Sequence, residues 1–200
     1  MDAQAFWHVI GEYNRYTLAA QAVLFVFLAF MIMLSYVQKN PWAAKLALGI
    51  ANLFIGIVFF AWYGTEPIQR YFALPLYLFC GALFLCESWH NEGDVLKRPD
   101  FWRASLLLLY LCYPLISLLL GNRFPQMVTY IMPCPIASLS VAVYAGYQKK
   151  NKVLFALLTI WGLTGIKAIL FCAYEDMILL ACGIYSVVLF ASENKRSKGS

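Results

Sequence analysis

The sequence predicts an all-α, polytopic membrane protein of about seven transmembrane helices, and three observations carry that prediction. Of the 200 residues, 62% are hydrophobic and 12% charged, and the mean hydropathy is +0.69, which leaves too little polar surface to coat a water-soluble globule. The apolar residues form near-continuous runs about 20 long, the length a helix needs to cross a bilayer, whereas barrel strands would alternate over about 10. The positive charges, finally, are unevenly shared between the two sets of connections.

The first run, residues 16–37, is too long for a signal peptide, lacks a small-residue cleavage site and carries its lysine on the far side at Lys39, so it reads as a retained helix. Before it, residues 1–15 mix Phe6, Trp7 and Ile10 with His8, Glu12 and Asn14, which suits a short helix lying in the outer interface. Further spans follow at 44–63, 71–86, 102–120, 127–147, 153–174 and 177–191. The last two form one apolar stretch that as a single helix would be roughly 60 Å long, about twice the bilayer core, so it is expected to turn at Glu175 and Asp176. Residues 16–192 thus make one seven-helix domain, and 193–200 a tail. The longest connection, "HNEGDVLKRP" from His90, is polar.

Lys39, Lys45, Lys97, Arg98, Arg103, Lys149, Lys150, Lys152, Lys195, Arg196 and Lys198 fall on one side, while Arg15, Arg70 and Arg123 fall on the other. That eleven-to-three bias predicts an outside amino terminus and a cytoplasmic carboxyl terminus. The net charge of +5 reflects this asymmetry and does not point to nucleic acid. The expected partners are the lipid bilayer and a small-molecule solute.

No cofactor, metal or catalytic set is expected. The six cysteines all lie within predicted spans and none forms a CxxC pair, while His8 and His90 sit in connections on opposite sides. A membrane haem protein would need facing histidines inside the bilayer, and a histidine-ligated zinc hydrolase several more than this chain has. Cys134 without a nearby histidine lacks the usual base for nucleophilic catalysis, so enzymatic activity is not expected.

Functional candidates concentrate on the outer half. Lys167, in "WGLTGIKAILFCAYED", lies seven residues below Tyr174, about 10 Å in at helical rise. A charge there is costly: either it serves a site with Glu175 or Asp176 as partner, or its long stem snorkels outward. Pro133 and Pro135 flank Cys134 inside the fifth predicted helix. Lacking amide hydrogens, they would free the carbonyls of Thr129 and Ile131, four residues upstream of each. Two readings stay open for this break: a kink packed against neighbours, or bared carbonyls lining a solute site near the midplane. Arg123, in the tight turn "GNRFP", is either solvated or bound to lipid phosphate, or it pairs with Glu12 or Asp176.

"FWHVIGEYN", "YPLISLLLGNRFP", "MPCP" and "WGLTGIKAILFCAYED", in this order and spacing, resemble an uncharacterised bacterial integral-membrane family, domain-of-unknown-function family 6064, over nearly the whole chain. The resemblance implies a small multi-helix protein of a bacterial inner membrane and assigns no activity. Asn122, Ile136 and Lys167 depart from the family's pattern. From the residues, the expected function is a carrier or channel for a small anionic or zwitterionic solute. Its outward-facing site would be built from Thr129, Ile131, Cys134 and Lys167, with Asp176 nearby and Arg123 and Glu12 at the mouth. The alternative is a receptor, accessory or structural protein that uses the outer face to bind a partner or lipid.

Overall fold

In the computed structural model, which describes residues 3–90 and 94–198, the chain is all-helical and carries six helices long and apolar enough to cross a membrane. Residues 91–93 of the long connection and Gly199 and Ser200 of the tail lie outside the described residues.

The first helix, α1 (Ala3–Val37), runs unbroken through Arg15, so residues 3–14 prolong the first span and form no element of their own. Their mixed pattern follows from what lies beneath them: Ile10, Tyr13 and Asn14 are buried against the rest of the protein. Helix α2 (Pro41–Phe54) opens with a proline in its first turn, where a missing amide loses nothing, and continues as wide π-type turns over Ile55–Tyr63. A matching π-type stretch, Gln69–Ala73, leads into α3 (Leu74–Trp89).

Helix α4 (Phe101–Leu119) is capped by Asp100, whose carboxylate accepts from the Arg103 amide at 3.0 Å and from its Nε at 3.1 Å. Partial burial works to raise the Asp100 pKa, but these contacts with Arg103 outweigh it and hold the group below the ordinary aspartate value. Asn151 caps α6 (Lys152–Leu163), accepting from the amides of Val153 and Leu154. A 3₁₀ turn (Thr164–Lys167) and the short α7 (Ala168–Phe171) complete that span.

The turn between the last two spans comes earlier than the acidic pair suggests. Cys172 takes the left-handed conformation, φ 52°, and ends the helix there. Glu175 and Asp176 instead form the entry turn (Tyr174–Asp176) of α8 (Met177–Lys198) and are buried. α6 and α8 pack backbone to backbone. A Cβ on Gly183 would fall 2.5 Å from the carbonyl carbon of Gly162, so only glycine permits the approach.

The fifth predicted span needs the largest correction. Residues 127–132 are not helical; Met132 is extended, with φ −135° and ψ 164°, and α5 (Pro133–Tyr144) begins only at the first proline. Pro133 and Pro135 therefore interrupt no ladder. They stand in the first helical turn, where amides have no intrahelical acceptor. At 12 residues α5 is about 18 Å long, too short to cross alone. Nearly all of it is buried among the other helices, with Cys134 partly exposed.

Side chains from neighbouring helices satisfy the extended segment. The Tyr13 hydroxyl donates to the Ile131 carbonyl at 2.6 Å, and Asn14 Nδ2 donates to the carbonyls of Pro125 and Met127, each at 2.7 Å. The Thr129 hydroxyl donates to Gln21 Oε1 at 2.7 Å, and Tyr77 donates to the Pro133 carbonyl at 2.5 Å. Irregular backbone at membrane depth is tolerated only when buried in this way.

Candidate functional site

A cleft of about 210 Å³ opens where the irregular pieces meet: the π-type turns on either side of residues 64–68, the start of α5, the 3₁₀ turn after α6 and the entry to α8. Each of these stretches departs from regular helix, and together they leave a gap that straight helices would close. Its walls are largely apolar, and Phe59, Phe60, Phe72 and Trp161 are among them. Trp161 is fixed by its neighbours, with ring centroids 5.2 Å from Tyr77, 5.8 Å from Phe60 and 6.4 Å from Phe72.

The polar side chains that line this greasy space include Glu66, Gln69, Cys134, Thr164, Lys167 and Asp176, with the Trp161 indole beside them. Asp176 lines it and is 8% exposed, and its Oδ1 has no hydrogen-bond partner. Trp161 Nε1 is likewise buried without an acceptor. Lys167 lines the same cleft from an exposed position. A buried acceptor left without a donor costs about 1–3 kcal/mol, so two orphaned groups on one cleft call for an explanation.

Behind Asp176, Glu175 is 1% exposed. Its Oε1 accepts from Ser117 Oγ at 2.7 Å and from Asn122 Nδ2 at 3.3 Å, while Oε2 has no partner. The Ser117 hydroxyl also accepts the Val128 amide at 3.0 Å, tying α4, the extended segment and α8 together. Among the described residues no cation pairs with either acid.

Of the residues predicted for a site, Cys134, Lys167 and Asp176 line one cleft, and Pro133 and Pro135 form part of its wall. The other four do not reach it. The Ile131 carbonyl, expected to be bared, accepts from Tyr13, and Ile131 is buried at 1% exposure. Thr129 engages α1 through its hydroxyl. Arg123 is exposed on the 121–126 turn and forms no ion pair with Glu12 or Asp176, and Glu12 does not line the cleft. The expected pairing of Lys167 with Glu175 or Asp176 is absent too, because both acids turn inward while the lysine faces out.

Trp161 was not singled out from the sequence, since a tryptophan in an apolar run reads as packing. Lys45 was read as a connection charge, but it is buried within α2. Its ammonium lies 2.6 Å from Asp94 and 3.2 Å from Glu87, and 4.5 Å from the Tyr147 ring centroid. The signal was available: Lys45 lies only four residues after the helix-starting Pro41, inside the apolar run. This cluster at the opposite end is internally paired, with Tyr144 donating to Glu87 at 2.6 Å and the Lys149 amide to Asp94 at 3.0 Å. It therefore reads as a structural clasp. Among the described residues, no group of three or more metal-binding side chains is suited to hold an ion.

No curated protein and no solved structure matches the chain. A family model does, over residues 3–199, and by that match the chain belongs to a family of unknown function, DUF6064.

Proposed function

We propose that the protein is a carrier in a cell membrane, with its amino terminus outside, whose cleft around Cys134, Asp176, Trp161 and Lys167 receives a small solute from the outer side. The observation that carries this reading is the unpartnered Oδ1 of Asp176, buried and facing a cleft large enough for an organic molecule. Discontinuous helices whose ends meet are a recurring way to build such sites, because those ends supply polar groups where regular helices offer none. Here the start of α5, the end of the α6 span and the entry of α8 converge in that manner. Apolar walls with a few placed polar groups are the usual make-up of a small-molecule pocket.

The solute class read from sequence, anionic or zwitterionic, narrows toward the zwitterion. A simple anion would meet Lys167 but would also face the Asp176 carboxylate. The reading is tested by an experimental structure in lipid nanodiscs. Ordered density of a small molecule beside Cys134 and Asp176 is expected. A cleft closed by side chains or filled by a lipid acyl chain would overturn it and favour a protein that works through its outer face.

A further inference from the structure

We infer that the solute carries an ammonium group that docks on Asp176, with an apolar, ring-sized body against the Trp161 wall and an anionic end turned toward Lys167. This rests on the cleft being a solute site and adds the chemistry of its occupant.

The argument begins with unmet pairing. Lys167 and Asp176 line the same cleft without forming an ion pair, although opposite charges in a low-dielectric space attract strongly. A zwitterion would satisfy both at once. Asp176 Oδ1 needs a donor, and Glu175 immediately behind it brings a second carboxylate with an orphaned oxygen. Two adjacent buried acids with no cation among the described residues make this end of the cleft a place for positive charge.

The walls agree with that sign. Aromatic faces attract cations, and the indole is the strongest of them. Phe59, Phe60, Phe72 and Trp161 line the space, and among the described residues Lys167 is the one lining cation. The exposed position of Lys167 sets the anionic end of a solute at the edge of the cleft, away from the two buried acids. A bare inorganic anion would meet Lys167 but leave Asp176 without a donor, and a purely apolar molecule would leave both charges unmet.

The test uses the protein in nanodiscs and three probes that share a phenethyl skeleton: phenethylamine (ammonium only), phenylalanine (zwitterion) and phenylpropionate (anion only). Binding is read by quenching of tryptophan fluorescence and by protection of Cys134 from maleimide, with the exposed Cys86 and Cys172 and the partly exposed Cys112 replaced by serine. Phenylalanine and phenethylamine are expected to bind and protect, and phenylpropionate to bind at least about tenfold more weakly. Asp176→Asn should weaken both amines by about ten- to a hundredfold, the loss of one charge-assisted contact. Lys167→Met should weaken phenylalanine and leave phenethylamine unchanged.

If the anion binds as well as the amines, the ammonium assignment is wrong, and this arm needs only wild-type protein, so it survives any folding defect in a variant. If Cys134 is modified but no amine protects it, the assignment fails while an accessible cleft stands. If Cys134 is not modified at all, the underlying cleft reading fails with it.

Discussion

Two lysines inside the bundle behave oppositely, and the difference lies in what each side chain meets. The Lys45 ammonium is held between Asp94, which is buried, and the partly exposed Glu87, so removing it leaves the buried Asp94 carboxylate without its cation. Lys45→Met should lower stability by about 3–5 kcal/mol, the cost of breaking one side of a buried pair. Lys167 is exposed and pairs with no acid among the described residues, so Lys167→Met should leave the melting temperature within about 1–2 °C of wild type. Thermal denaturation of both variants in the same detergent checks the contrast, and an equal loss in the two would mean that Lys167 has a buried partner after all. At this scale the sequence was half legible. Depth along a helix could be counted from Tyr174 to Lys167, but which way the stem turned depended on a break at Cys172 that no glycine or proline announced. Asp176 was named as a site residue for its place near Lys167. That its carboxylate turns into an apolar cleft depends on the long-range packing of Phe59, Phe72 and Trp161.

Pro133 and Pro135 show how one signal supports two opposite element boundaries. A proline pair inside an apolar run reads as a kink when hydropathy continues on both sides, and residues 127–132 are apolar enough to sustain that reading. The same pair marks a helix start when the preceding chain is extended, as it is at Met132. What decides between them is where the upstream carbonyls find donors, and Tyr13 and Asn14 lie more than 100 residues away. Replacing both prolines by alanine is therefore expected to change stability little, with a loss of no more than about 1–2 kcal/mol from the greater freedom of the unfolded chain. Leu139→Pro, in the buried interior of α5, should cost about 3 kcal/mol or more. Urea or thermal unfolding of the two variants checks the ranking; a clear gain in stability for the double alanine would restore the kinked-helix picture. The capped starts of α4 and α6 were better marked, since Asp100 and Asn151 stand directly before their apolar runs.

For the whole molecule, composition carried the fold class and all six long spans, because hydropathy reports burial in lipid without needing to know which faces touch. It could not report that the irregular stretches of four different spans meet at one end of the bundle, which is where the account places its function. Orientation and site are joined in a single claim, that this cleft opens to the outside. Labelling of Cys134 in intact cells by a membrane-impermeant maleimide tests it most directly, with Cys86, Cys112 and Cys172 changed to serine and a second variant carrying Lys150→Cys as the opposite-side control. The account predicts modification of Cys134 in intact cells and of the residue-150 control only after permeabilisation. Labelling of the control from outside together with silence at Cys134 would contradict both the topology and the site.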